Sequence, residues 1–232
     1  MGVTLVTGGT GFLGVHVARS LVERGEDVLV SYRRGFRVPR LLADFMGSRV
    51  KAVRCDVSDF PEIVRTIQNN GVRGIVHAAN ISPYEGSLYQ MAKTNVEGTI
   101  NVLEAASIGH VQKVTYVSSG TVSRTEEESV PIHSDVPISA HKKIGEILSL
   151  FYGREFDFAV SIVRPHLIYG PYCAAELTSP MAIINMIEGA AMGKPVNLPH
   201  INPAAKMDII HALDCGNAIS LIHLAVKAQH KV

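Results

Sequence analysis

The chain has 232 residues, 47% of them apolar, and a formal net charge of +1 at pH 7. This length favours one larger α/β domain, and the apolar fraction is sufficient for a sizeable core. The nearly neutral charge gives no argument for a nucleic acid or an anionic membrane surface as a partner. No apolar run in the sequence is long enough to predict a membrane-spanning helix.

The three cysteines, Cys55, Cys173 and Cys215, are far apart in the sequence. They form no CxxC motif and no Cys/His cluster with the spacing of metal ligands, so no metal site is expected. Few cysteines in an odd number are typical of free thiols in a reduced compartment, which predicts a cytoplasmic protein. The apolar N-terminus breaks at once into a glycine-rich turn and predicts no signal peptide.

Strand and helix patterns alternate along most of the chain. Short β-branched runs predict six strands, at 3–7, 27–32, 50–55, 74–79, 113–119 and 158–165. Helical periodicity predicts helices at 12–25, after the capping residues Ser58 and Asp59, at about 87–109, and from about 136 to 153. This alternation is typical of an α/β Rossmann fold, a doubly wound parallel sheet with helices on both faces, over residues 1–170.

The pattern changes after Gly170. A Pro-interrupted segment leads to a helix near 179–192, a short strand near "MDII" and a final helix. These features predict a small substrate-facing lobe over residues 171–232, interleaved with the first domain.

The first strand is joined to the first helix by "TGGTGFLG", residues 7–14, in which Gly8, Gly11 and Gly14 are spaced three apart. Glycines at this spacing allow a tight turn, close approach of a pyrophosphate and close packing of helix on strand. The helix N-terminus then offers N–H donors and a positive dipole to phosphate groups. The position between a strand and a helix is the context in which this pattern predicts dinucleotide binding.

The TGxxGxxG pattern resembles the short-chain dehydrogenase/reductase superfamily, and "TGGTGFLG" is most similar to its extended branch of epimerase/dehydratase-like and dihydroflavonol-reductase-like proteins. Further stretches match that branch in order: "CDVSD" (55–59), "HAAN" (77–80), "TNVEGTINVLEAA" (94–106), "YVSSG" (116–120), "RPHLIYGP" (164–171) and "MDIIHALDCGNAI" (207–219). The family usually continues past the point where this chain stops.

The resemblance implies a set of cofactor-binding residues. They are Gly8, Thr10, Gly11, Phe12, Leu13 and Gly14 in the glycine loop, Asp56 and Val57 near the adenine, Ala78, Ala79 and Asn80 after the fourth strand, and Lys142, Pro165 and Ile168 near the nicotinamide and its ribose.

The end of the second strand predicts which dinucleotide is bound. NAD-binding proteins typically have an acid there that accepts a hydrogen bond from the ribose 2′-hydroxyl. This chain has "SYRRG", in which Arg33 and Arg34 replace the acid. Guanidinium groups bind a 2′-phosphate through paired, charge-assisted hydrogen bonds, so NADP(H) is the expected cofactor. A solvated basic loop is the alternative interpretation.

The family resemblance implies a catalytic Ser, Tyr and Lys, the last two as YxxxK on one helix face. Ser119 and Lys142 match the Ser and the Lys, Asn95 lies in the helix that approaches the site, and Glu146 follows Lys142 at the family's usual spacing. In this register the tyrosine position is Ile138, which has no ionisable proton. An alternative register with Lys143 places Ser139 there, which is not a tyrosine either.

Several groups can replace the missing acid. His141 lies three residues after Ile138, and Tyr84 lies in a loop expected to line the pocket. His166, after the sixth strand, can reach the nicotinamide or the substrate, although a packed turn histidine is the simpler interpretation. A substrate bearing its own phenol can also supply the proton, as in tyrosine-less ketoreductases of aromatic polyketide pathways such as the simocyclinone ketoreductase, which this departure resembles.

The sequence therefore predicts an NADP(H)-dependent oxidoreductase that reduces a small hydrophobic or aromatic carbonyl substrate. A non-catalytic NADP(H)-binding sensor or scaffold is the alternative, and a nucleotide-sugar epimerase is less favoured because the chain has no arginine after Arg164. An engineered replacement of the tyrosine by Ile138 is a further alternative. By resemblance, the helices at about 87–109 and 136–153 would pair across a homodimer.

Overall fold

The computed structural model describes residues 2–82, 85–126, 136–173, 179–195 and 208–225. Its main strands are β1 (Val3–Thr7), β2 (Asp27–Tyr32), β3 (Val50–Arg54), β4 (Val72–His77), β5 (Lys113–Val117) and β6 (Ala159–Val163). They form one sheet in the order β3-β2-β1-β4-β5-β6, with every neighbouring pair parallel. The predicted doubly wound parallel sheet is confirmed.

The helices of this sheet are α1 (Phe12–Glu23), α2 (Phe60–Asn69), α3 (Leu88–Ala92), α4 (Gly98–Ile108) and α5 (Val136–Glu155), with 3₁₀ segments at Arg40–Phe45 and Gly120–Glu126. The long helix expected over about 87–109 is present, but a π-helical turn at Lys93–Glu97 separates α3 from α4. Such a turn widens the backbone spiral locally and is common near functional sites. The periodicity of the sequence gave no sign of it.

Two apolar cores lie on opposite faces of the sheet, because successive residues of a strand point to opposite sides. On β1, Leu5 belongs to a core that includes residues of α2 and α4 such as Ile63 and Leu103. The next residue, Val6, belongs to a core that includes Leu21 of α1. The sheet is therefore buried on both faces, and ligands can reach it only from its edges.

The segment after β6 contains β7 (Leu167–Tyr169), α6 (Ser179–Met192), β8 (Ile209–His211) and α7 (Ala212–Leu224). β7 and β8 form a separate parallel pair, and β7 was predicted only as a turn. The final helix returns to the main sheet and packs against α1, where Ser20 Oγ donates to Asn217 Oδ1 at 2.8 Å. The second segment thus covers one face of the sheet.

Among the described residues, no helix has the length and apolar character required to cross a membrane. The same part of the chain contains no group of three or more His, Cys, Asp or Glu side chains arranged to hold a metal ion.

Candidate active site

The glycine loop lies at the carboxyl end of β1 and leads directly into α1. Gly8 has a φ of +65°, and a Cβ at this position would lie 2.9 Å from Cα of Ala79. A Cβ at Gly14 would collide with the carbonyl oxygen of Gly8. α1 has Gly11 at its N-cap and no side-chain cap, so its first N–H groups remain available for an anion. Thr10, Phe12 and Leu13 lie in this turn and the first helical turn.

A buried hydrogen-bond chain fixes the glycine loop to the end of β4. Thr7 Oγ1 accepts from the N–H groups of Ala78 (3.1 Å) and Ala79 (3.2 Å) and lies 2.7 Å from His77 Nδ1. Burial, followed by the charge of Lys142, lowers the pKa of His77 to about 3, so its imidazole is neutral. The Thr7 hydroxyl oxygen already accepts two hydrogen bonds, so its own O–H donates to His77 Nδ1. The opposite ring nitrogen of His77 therefore carries the hydrogen, and Nε2–H donates to Thr99 Oγ1 at 3.1 Å.

The predicted arginines follow β2 directly. Arg33 and Arg34 are both exposed, and no hydrogen-bond or ion-pair partner for either is found among the described residues. Gly8 N–H donates to Ser31 Oγ at 3.1 Å, which ties the end of β2 to the glycine loop. The arginines therefore lie beside the turn that would hold the pyrophosphate.

Asp56 and Val57 lie after β3, in the turn that leads to α2. The Asp56 carboxylate accepts from Ser58 N–H at 2.9 Å, and Val57 is buried with its carbonyl accepting from Asn101 Nδ2 at 2.9 Å. After β4, Asn80 Oδ1 is buried and has no hydrogen-bond partner among the described residues. A buried unpaired acceptor carries a free-energy penalty that a bound donor would relieve.

Ser119 follows β5 at the carboxyl edge of the sheet and is half-buried. Its Oγ accepts hydrogen bonds from Thr121 N–H (3.2 Å) and Thr121 Oγ1 (2.9 Å). Because both bonds use Ser119 as acceptor, its own O–H can still donate to a substrate oxygen.

Lys142 projects from α5 towards the end of β5 and is only 6% exposed. Its Nζ donates to Val117 O at 2.7 Å and lies 5.3 Å from the centroid of the Tyr116 ring. Burial lowers the pKa of Lys142 to about 8. The phenol of Tyr116 fits against Gly145, where a Cβ would collide with its hydroxyl, and burial raises the Tyr116 pKa.

The register of α5 is set by Glu146, one turn beyond Lys142. Its buried carboxylate accepts from Ser118 Oγ at 2.6 Å and from Arg164 Nε and Nη2, both at 2.7 Å. These contacts keep Lys142 on the inward face of the helix. Ile138 precedes Lys142 by one turn and is half-buried.

The other predicted catalytic residues occupy different places. Asn95 is buried in the π-helical turn, and its amide is used by the backbone N–H and carbonyl of Ile81 at 2.8 and 2.9 Å. His141 is eleven residues before Tyr152, whose hydroxyl donates to Glu104 of α4 at 2.9 Å. Residues eleven apart on a helix lie within about 20° of each other, so His141 is on the flank facing α4. Tyr84 lies outside the described residues.

The remaining residues predicted for the site are His141 on α5 and Pro165 and Ile168 after β6. His141 Nδ1 is buried without a partner among the described residues, and burial lowers the pKa of its imidazole. The carbonyl of Pro165 accepts from Gly120 N–H at 2.8 Å, and Ile168 is half-buried in β7. The sequence did not predict the contact of Tyr116 with Gly145 or that of the His166 ring with the backbone of Gly120. The available signal for the first was a glycine in a helix interior, and for the second a glycine directly after a serine.

A dinucleotide fits these residues. The glycine loop leaves room that any Cβ would fill, the first turn of α1 is uncapped, and Asn80 offers an unpaired acceptor. When bound, such a cofactor supplies or removes a hydride. The chain's own residues would hold its phosphates, and Ser119 and Lys142 would stand where the hydride is exchanged.

Comparison with known proteins agrees with this architecture. The family model described as the NAD dependent epimerase/dehydratase family matches residues 4–232. A UDP-glucuronate 4-epimerase from Thermodesulfobacterium geofontis is 26% identical over 85% of this chain and 64% of its own length. A 2-alkyl-3-oxoalkanoate reductase from Stenotrophomonas maltophilia is 32% identical over 72% of this chain and 51% of its own length.

Among solved structures, the dTDP-glucose 4,6-dehydratase DesIV from Streptomyces venezuelae, containing NAD, superposes with a TM-score of 0.79 at 28% identity. The match covers 99% of this chain and 74% of DesIV. The chain spans between about half and two thirds of the length of the two curated relatives. The family match over nearly the whole chain, together with the parallel sheet and its glycine loop, shows that this protein belongs to the NAD-dependent epimerase/dehydratase family, the extended branch of the short-chain dehydrogenases/reductases.

Proposed function

We propose that this protein is an NADP(H)-dependent reductase of hydrophobic or aromatic ketones with a site that lacks the family's tyrosine. The exposed arginine pair at the end of β2 carries the proposal. Arg33 and Arg34 stand where a carboxylate would otherwise meet the ribose, and two guanidinium groups favour a 2′-phosphate.

The reductive chemistry is supported by Ser119 and Lys142. The Ser119 hydroxyl is available to hold a carbonyl oxygen, and the Lys142 ammonium lies close enough to the same edge to stabilise negative charge developing there. A 2-alkyl-3-oxoalkanoate reductase is 32% identical to this chain over 177 residues, which supports ketone reduction.

A non-catalytic NADP(H)-binding protein is the second candidate, because Ile138 offers no proton in the usual place. The two are separated by titrating NADPH and NADH fluorescence and by following NADPH oxidation with simple ketones and with ketones bearing a neighbouring phenol. Turnover of any ketone supports the reductase. Tight NADPH binding with no turnover supports the sensor, and preference for NADH contradicts the role of the arginines.

We also propose a homodimer and a cytoplasmic setting. Ile144, Ile147 and Phe151 form an apolar stripe along the outer face of α5, exposed by 40%, 58% and 59%. Pairing of this face between two copies would remove the stripe from water. The three cysteines are free, which fits a reducing compartment. Light scattering on the wild type and on Phe151→Glu tests the dimer, since a buried glutamate would dissociate it.

A further inference from the structure

His166 lies in the segment that joins β6 to β7, at the carboxyl edge of the main sheet, and its side chain is 50% exposed. Its imidazole lies against the backbone of Gly120, since a Cβ there would be 2.6 Å from three ring carbons. Gly120 N–H also donates to Pro165 O at 2.8 Å, which holds the two segments together. Gly120 directly follows Ser119, so the imidazole lies against the backbone of the segment that carries this hydroxyl.

The backbone register of the lobe places a carboxylate next to this imidazole. In the parallel pair of β7 and β8, Leu167 lies opposite Ile209, and Leu167 N–H donates to Asp208 O at 3.2 Å. One residue earlier the same register brings His166 Nδ1 to 4.0 Å from Asp208 Oδ2. With side chains 50% and 86% exposed, this pair adds little to stability. At 4.0 Å the two atoms are beyond hydrogen-bond distance, so the carboxylate acts on this ring nitrogen through its charge and leaves the other nitrogen for proton transfer.

We propose that His166 is the proton donor of the ketone reduction and that Asp208 is the residue that orients it. The inference rests on the proposed reductase function. Reduction adds a hydride to the carbonyl carbon and a proton to the oxygen, and the hydride comes from NADPH, which leaves as NADP⁺. The N–H bond of protonated His166 breaks as the O–H bond of the product alcohol forms. Neutral His166 then takes a proton from water at its exposed side.

Two features favour His166 over the donors considered from the sequence. His141 lies on the flank of α5 that faces α4, whereas the His166 ring lies against Gly120, the residue after Ser119. A donor in the protein also removes the need for a phenol in the substrate. The proposed donor lies in the segment between β6 and β7, whereas position 138 lies on α5.

The test compares His166→Gln, Asp208→Asn and His141→Gln, with His110→Asn as the control. His110 is an exposed histidine just before β5, at the opposite edge of the sheet, with a φ of +50° that asparagine tolerates. Circular dichroism and NADPH fluorescence titration establish that each variant is folded and binds cofactor. Steady-state kinetics are then measured on a ketone without a phenol, and His166→Ala is assayed with and without added imidazole.

We expect His166→Gln to lower kcat about 100-fold or more, with KM and the NADPH dissociation constant unchanged, as for loss of a general acid. Asp208→Asn should give a smaller loss of kcat, imidazole should restore part of the activity of His166→Ala, and His110→Asn should match the wild type. Wild-type turnover that persists in His166→Gln, or that is lost only in His141→Gln, would overturn this assignment and leave the reductase function intact. An inactive wild type that binds NADPH would instead overturn the proposed function and this assignment with it.

Discussion

The guanidinium of Arg164 at the end of β6 donates two hydrogen bonds of 2.7 Å to the carboxylate of Glu146 on α5. Glu146 is 3% exposed and also accepts from Ser118 Oγ, so three segments of the site meet at one carboxylate. Lys142 lies one helical turn earlier on the same face. The ion pair therefore determines where the lysine points, without taking part in the chemistry.

Removing the charge of Glu146 should destabilise the protein and displace Lys142. We expect Glu146→Gln to lower the free energy of unfolding by about 3 kcal/mol, because it leaves the half-buried Arg164 cation uncompensated. Urea unfolding followed by circular dichroism measures this. Glu155→Gln, on the exposed end of the same helix, is the control and should change stability by less than about 0.5 kcal/mol. Equal stabilities of the two variants would show that the ion pair has no structural role.

The arginine pair should determine the choice of dinucleotide. We expect the double change Arg33→Ala and Arg34→Ala to weaken NADPH binding by about 100-fold, since each charge-assisted hydrogen bond contributes about 1.5–3 kcal/mol in favourable cases. NADH binding should stay within about threefold, because NADH lacks the 2′-phosphate. Arg65→Ala, which removes an exposed arginine of α2, is the charge-matched control. A parallel loss of NADH affinity would mean that the arginines act on the shared pyrophosphate instead.

Restoring a tyrosine at position 138 should create the family's acid. Ile138 is half-buried one turn before Lys142, so a phenol there would lie beside the ammonium. We expect Ile138→Tyr to raise kcat on simple ketones by about 10-fold or more, within the usual range of general acid catalysis. Leu221→Tyr, at a position 56% exposed on α7 and outside the proposed dimer stripe, is the control and should have no effect. No gain at position 138 would show that the pocket is built around another donor.

The fold was predictable from the sequence because strands buried on both faces give continuous apolar runs and glycine loops have a recognisable spacing. The sequence used Glu146 only for its spacing from Lys142. Its ion pair with Arg164, 18 residues later, could not be predicted because no neighbouring residue in the sequence indicates it. The contact of Tyr116 with Gly145 and that of His166 with Gly120 could not be predicted for the same reason. Each joins segments whose side chains meet only after the sheet has formed.

Burial of the Lys142 ammonium is expected to lower the free energy of unfolding of the protein. Burial lowers its pKa from 10.5 to about 8, so the folded protein binds fewer protons than the unfolded chain between these values and its stability rises with pH there. We expect Lys142→Met to raise the free energy of unfolding by about 2 kcal/mol at pH 7, with a smaller gain at pH 9.5. The same variant should lose ketone turnover.

Urea unfolding at the two pH values measures the effect, with Lys51→Met, an exposed lysine of β3, as the control. A destabilised Lys142→Met would mean that the hydrogen bond to Val117 and the Tyr116 ring outweigh the desolvation of the ammonium.

Two buried histidines should make the fold sensitive to mild acid. Burial, with a smaller contribution from Lys113, lowers the pKa of His223 to about 3, and His77 has the same value. Both folded-state values lie below the ordinary imidazole pKa of about 6.5, so the unfolded chain binds more protons and stability is lost as pH falls below 6.5. From pH 6.5 to 5 each histidine should lower the free energy of unfolding by about 2 kcal/mol.

Chemical unfolding at pH 7 and pH 5 tests this, with His223→Gln as the variant. Glutamine can still bond Thr115, which lies 2.9 Å from His223 Nδ1, but it does not titrate. We expect the acid-induced loss to fall from about 4 kcal/mol in the wild type to about 2 kcal/mol in His223→Gln. The same loss in both proteins would assign the acid sensitivity to groups other than His223, because removal of a titrating group must reduce the pH dependence that the group causes.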